Sequence, residues 1–204
     1  MVDAQVIIVG HKSRIGWIAK LQEALPGAAA LVDHSNRGAL AGHIRALEIA
    51  KLHDKRCIIM EDDAIPVEGF MQLATDWFER MPDALISFYL GTGRPVSWQA
   101  QVDAHLSRTI GDYITLPRLI HGVCYSIPPK HVGRTLDRIS AMGETLDEPA
   151  DYIVGRGFGR EVVYPVESLV EHRDGESVER HPDGEPRIEQ RVARNLAAPL
   201  MYER

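Results

Sequence analysis

The chain predicts a single α/β domain built on a mixed, mostly parallel sheet flanked by helices, and three observations carry that prediction. Short apolar runs alternate with segments of helical period from residue 6 to residue 90, the order that threads a sheet through crossover helices. One of these runs, Cys57-Ile58-Ile59-Met60, is apolar without interruption, as expected of a strand covered on both faces. With 204 residues, 45% of them apolar, the chain can bury a substantial core without disulfide staples.

The elements follow in order. Val6-Ile7-Ile8-Val9 before Gly10 reads as a first buried strand. Ser13 is a fitting N-cap for a helix to about Leu25, stopped by Pro26-Gly27. Ala28 to Val32 give a second strand ending at Asp33, and Leu40, Ile44, Leu47 and Ala50 recur at helical spacing within Gly38 to His53. The strand at Cys57 to Met60 comes next. A third helix spans about Glu68 to Met81, with Phe70, Leu73, Trp77 and Phe78 on its inner face. Ala84 to Leu90 read as a strand, and Thr92 to Thr109, polar and without clear period, as a mobile loop or small insertion. Strands are expected at Tyr113 to Leu116, Gly122 to Ile127 and Val162 to Tyr164, and helices from Lys130 to about Met142 and from Asp151. Gly155-Arg156-Gly157-Phe158-Gly159 follows a helix and precedes a strand, so it reads as a helix C-cap and turn rather than a dinucleotide fingerprint. The domain is expected over residues 1–178, with 179–204 a partly flexible tail.

Composition narrows the function classes. A net charge of −6 argues against stable binding to nucleic-acid backbone, which needs clustered Lys and Arg. Cys57 and Cys124 fall in expected buried strands and read as small core residues. The opening residues lack the basic flank and apolar stretch of a signal peptide, and no apolar run is long enough to span a bilayer, so a cytoplasmic location is expected.

The feature that points to chemistry is Glu61-Asp62-Asp63, three acids where the buried strand leaves the core. Adjacent like charges repel one another and resist burial. A divalent cation relieves that repulsion, and oxygen donors suit Mg²⁺ or Mn²⁺. Ligands of open α/β sheets bind beyond the carboxyl ends of the strands, where this triplet falls. The competing reading is a solvated acidic turn. By the same rule Gly10, His11 and Asp33 occupy the strand ends that hold a base and ribose. Arg14 and Arg37 are either phosphate partners or surface arginines.

The acidic strand end resembles the DXD-type motif of GT-A glycosyltransferases. Gly38-Ala39-Leu40-Ala41-Gly42-His43 resembles the Gly-x-x-x-Ser-His segment of the lipooligosaccharide-biosynthesis glycosyltransferase family, departing from it at Gly42. His121-Gly122-Val123-Cys124-Tyr125-Ser126-Ile127, Glu148-Pro149-Ala150-Asp151-Tyr152, and Tyr164-Pro165 with Ser177 resemble later segments of that family in the same order. The resemblance covers roughly residues 5 to 178.

It implies a GT-A-like (Rossmann-like) fold and transfer of a sugar from a nucleotide-sugar, a UDP-sugar foremost, with Mn²⁺ or Mg²⁺ as cofactor. It puts Asp63 on the metal, Glu61 on the ribose or on the metal through water, and Asp62 in support of the loop. GT-A enzymes commonly add a late histidine ligand; His172 is the candidate, with His181 its rival. Asp151 matches the family acid and is the candidate base, with Asp147 and Glu148 as competitors and helix capping as the alternative role. His43 either points into the cleft or is a satisfied buried histidine. Trp98 is a candidate acceptor contact, the acceptor being a carbohydrate or a protein; the oligomeric state stays open. Two other functions compete: a metal-dependent phosphoesterase and a non-catalytic nucleotide-sugar-binding module.

Overall fold

The computed structural model describes residues 4–53, 55–143, 148–175, 178 and 190–203. Asp147, Ser177 and His181 lie outside them. Nine strands and six α-helices alternate among the described residues: β1 (Ala4–His11), α1 (Ile15–Ala24), β2 (Ala29–Asp33), α2 (Ala39–Lys51), β3 (Arg56–Glu61), β4 (Ala64–Pro66), α3 (Phe70–Arg80), β5 (Leu85–Ser87), α4 (Val96–Leu106), β6 (Tyr113–Leu116), β7 (Cys124–Ile127), α5 (Pro129–Ala141), α6 (Ala150–Phe158), β8 (Val162–Pro165) and β9 (Val170–His172).

Seven strands form one mixed sheet in the order β2-β1-β3-β7-β5-β8-β6, in which β7 and β6 run against the other five. Period-two alternation sends side chains to two cores. On β1 and β3, Ile7, Val9, Cys57 and Ile59 enter one core, which packs under α2, α5 and α6. Val6, Ile8, Ile58 and Met60 enter the other, under α1 and α3. Both cysteines are buried and free. Gly42 lets α2 settle on β1, since a Cβ there would lie 2.5 Å from Val9 Cγ1.

Arg56 is a buried charge with full satisfaction. Its guanidinium lies over the Phe78 ring and donates to Ser126 Oγ and to the carbonyls of Met81, Pro82 and Ala84. It ties the start of β3 to the loop that enters β5.

Three expectations need correction. The segment from Thr92 to Thr109 contains helix α4, whose Trp98, Val102 and Leu106 pack on the first core. Gly155 and Gly157 belong to the body of α6, where a Cβ would strike Leu119 N at 2.6 Å or Ile139 Cγ1 at 2.7 Å. Only Gly159 acts as the left-handed cap, at φ +70°. Residues 190–203, read from the sequence as tail, pack against the second core through Ala193, Leu196, Leu200 and Tyr202. Backbone bridges join them to Val67, Gly91 and Ser168. No helix among the described residues is long and apolar enough to cross a membrane.

Candidate functional site

The sheet register builds the site. Parallel pairing sets His11 beside Asp33 and Val9 beside Glu61, so β1, β2 and β3 end at one edge. The antiparallel β7 begins at the same edge, where Glu61 N donates to Val123 O at 2.8 Å. A cavity of about 600 Å³ lies over this edge, within the roughly 300–1,000 Å³ typical of small-ligand sites. Gly10, His11, Arg14, Asp33, Arg37, Glu61, Asp62, Asp63, Asp151 and His172 all line it. Trp98 lies outside that lining, half-buried against the first core.

The three acids have different surroundings. Asp62 accepts from His11 N and from Arg14 Nη1, each at 2.8 Å. Burial, then the neighbouring Asp63 charge, lift its carboxyl to about 6 against these donors. Asp63 accepts from the same Arg14 Nη1 at 2.8 Å and lies 3.5 Å from His172 Nε2. Burial raises its carboxyl, but the positive field of His172 and Arg14 outweighs burial and holds it well below the usual range. One guanidinium thus bridges two buried carboxylates.

The approach of His172 has a backbone cause. Strands β4 and β9 pair antiparallel with Ala64 opposite His172, and Arg173 N donates to Asp63 O at 2.7 Å. This small second sheet links the acidic turn to a residue more than a hundred positions later.

Glu61 belongs to another chain of contacts. Burial raises the Tyr125 phenol pKa well above its usual value, and the hydroxyl lies 3.0 Å from His43 Nδ1. The other ring nitrogen, Nε2, hydrogen-bonds Glu61 Oε1 at 3.1 Å. His43 is completely buried and is both satisfied and connected to the cavity. Glu61 faces Asp151 across Gly122, where a Cβ would lie 3.1 Å from Glu61 Oε1 and 3.2 Å from Asp151 Cβ. Asp151 sits in the first turn of α6, and its Oδ1 accepts from Tyr152 N at 2.9 Å. Burial first, then the Glu61 charge, push its carboxyl up to about 7. Glu148, its competitor, pairs with Arg156 near the surface.

At the other end of the cavity Asp33 accepts from Ser35 N at 2.9 Å and Gly38 N at 3.0 Å, which fixes the turn into α2 and lowers its pKa. The His11 ring spans Ser13 Oγ and Asn36 Oδ1, both at 2.8 Å. Arg37 is exposed at the rim.

Sequence reasoning did not single out Tyr89, Arg94, Arg191 or the His121 side chain as site residues, yet all four line the cavity. Tyr89 and Arg94 flank a glycine-containing turn after β5, the one signal that pointed toward them. Arg191 arrives from the far end of the chain and gives no local signal.

Among the described residues no group of three or more His, Cys, Asp and Glu side chains is arranged to hold a metal ion. Two possible donors nevertheless lie together: Asp63, whose Oδ2 accepts from Arg14 and whose Oδ1 has no partner among the described residues, and His172, 3.5 Å from that Oδ2. Mg²⁺ and similar ions take one or two protein ligands and complete their shell with substrate phosphates and water. The pair would supply two protein ligands to an ion of that kind.

No protein-family model matches the chain, and no curated protein matches it. Among solved structures it is similar to A197 from STIV, with a TM-score of 0.48 and 11% identity over 98% of each chain. It is also similar to UDP-glucose pyrophosphorylase complexed with UDP-glucose, with a TM-score of 0.43 and 9% identity over 79% of this chain and 72% of that one.

Proposed function

We propose that the chain is a metal-dependent glycosyltransferase that takes a sugar from a nucleotide-sugar, a UDP-sugar foremost. The observation that carries this reading is the convergence on one cavity of a strand-end acid beside a histidine, Asp63 with His172, and a second carboxyl, Asp151, that faces Glu61 across Gly122. The strand ends at His11 and Asp33 would receive base and ribose. Asp63 and His172 would hold Mn²⁺ or Mg²⁺, which neutralises the departing diphosphate. Asp151 would take the proton of the acceptor hydroxyl as that oxygen bonds to the anomeric carbon and the bond to the diphosphate breaks. A base of pKa near the working pH suits this transfer. The acceptor in this reading is a carbohydrate or a protein.

A thermal-shift panel of nucleotide-sugars, with and without Mn²⁺, tests the donor site. A ligand that binds the folded state alone raises the melting temperature. At least one nucleotide-sugar should do so in a Mn²⁺-dependent manner, and the effect should vanish in Asp63→Ala. A panel with no response, or a response untouched by Asp63→Ala, rejects the reading.

A further inference from the structure

Beyond the strand ends, two residues that line the cavity carry buried polar atoms without a partner among the described residues. Tyr89 is 3% exposed and His172 is 2% exposed, and both line the cavity. Tyr89 Oη and His172 Nδ1 have no hydrogen-bond partner among the described residues. A buried polar group without a partner costs about 1–3 kcal/mol, so folding alone does not account for a phenol where a phenyl ring would pack equally well.

The ring is held firmly in place. Its centroid is 5.1 Å from that of His121, edge to face, and 6.1 Å from that of His172. His121 is itself fixed, its Nε2 accepting from Gly91 N at 3.2 Å and its carbonyl from Ser87 Oγ at 3.2 Å. Burial, then the charges of His172, Arg191 and Arg194, lower the His121 pKa to about 3, so it stays neutral. Gly91 has no side chain, and a Cβ there would overlap the Tyr89 hydroxyl. The chain leaves the β5 ladder after Ser87, with Phe88 O accepting from Leu169 N and Leu90 N donating to Ser168 Oγ. That bend carries Tyr89 to the cavity wall.

Charged groups of both signs surround the phenol: Glu171, Asp63 and Asp174 on one side of the balance and Arg191, which pairs with Asp174, on the other. A neutral hydroxyl suits such a place, because it can accept from Tyr89 and donate to a carboxylate.

We propose that Tyr89 Oη and His172 Nδ1 form a subsite for a hydroxyl of the sugar carried by the nucleotide, with Tyr89 a specificity-determining residue. This rests on the donor reading above. Tyr89→Phe removes the hydroxyl and no hydrogen bond among the described residues, so the unliganded variant should melt at or above the wild-type temperature.

Calorimetry with Mn²⁺ would compare UDP-glucose, UDP-galactose and GDP-mannose, each against its bare nucleoside diphosphate. For the donor that binds, Tyr89→Phe should lose roughly five- to tenfold in affinity, the worth of one hydrogen bond. Affinity for the bare diphosphate should stay unchanged. An unchanged advantage of nucleotide-sugar over diphosphate overturns the subsite alone and leaves the hydroxyl to an ordered water. A melting temperature lowered by several degrees also overturns it, because the hydroxyl then has a partner in the protein. If wild-type protein binds neither the diphosphates nor their sugars, the donor reading falls and the subsite with it.

Discussion

Replacing Asp151 by asparagine should stabilise the protein at neutral pH while abolishing transfer. Burial and the Glu61 charge raise the carboxyl from 3.8 to about 7. At about 1.4 kcal/mol per pH unit, ionising it in the folded state costs at most about 4–5 kcal/mol. Water in the cavity screens part of this, leaving an expected gain of about 2–3 kcal/mol for Asp151→Asn at pH 8. The backbone bond is kept, because the asparagine oxygen can still accept from Tyr152 N. Between about pH 4 and 7 the folded carboxyl retains a proton that the unfolded chain has lost, so this group makes wild-type stability fall as pH rises. The asparagine variant lacks that slope. Urea unfolding followed by tryptophan fluorescence from pH 4.5 to 8.5 measures the difference, which should grow through this window and level off above pH 7. The transfer rate of the wild type should fall as pH drops below 7, where the proposed base becomes protonated. A difference independent of pH, or a variant less stable than wild type at pH 8, refutes the claim that the fold holds this carboxyl near neutrality.

Two further substitutions probe the frame of the site. Gly10→Ala puts a Cβ 2.7 Å from Ile18 Cδ1 and 2.8 Å from Asp62 Oδ2; overpacking of this kind costs about 1–3 kcal/mol. The urea midpoint should drop, and the weakened grip of His11 N on Asp62 should weaken donor binding too. Arg56→Met leaves the Met81, Pro82 and Ala84 carbonyls and Ser126 Oγ without their donor, a loss of about 2–4 kcal/mol. Because Arg56 is remote from the cavity lining, donor affinity measured well below the melting temperature should stay unchanged.

Elements with a strong local period were legible from the residues. β6 has the bounds expected, Tyr113–Leu116, and α5 differs from its expected span by about a residue at each end. Helix α4 escaped notice because Trp98, Val102 and Leu106 make a stripe one residue wide. Arg194, from the other end of the chain, adds contacts to it through Asp103 at 2.6 Å and Gln99 at 2.5 Å. The three-residue strands β4 and β9 are too short for any period to register. Their pairing is what sets His172 beside Asp63, and no local spacing reveals it. The strand-end positions His11, Asp33 and Glu61 were legible because parallel register follows from fold class. Tyr89 and Arg191 were not, because their approach depends on a bend after Ser87 and on the return of residues 190–203.

The central claim is that Asp63 and His172 bind a diphosphate-bearing sugar donor through a divalent ion. Release of nucleoside diphosphate from the donor chosen by the thermal-shift panel tests it most directly. Wild type, Asp63→Asn and His172→Ala should be assayed with Mn²⁺ and with chelator. The account predicts Mn²⁺-dependent release by wild type and at least a hundredfold loss in Asp63→Asn. Undiminished release in chelator, or from Asp63→Asn with Mn²⁺, would contradict it.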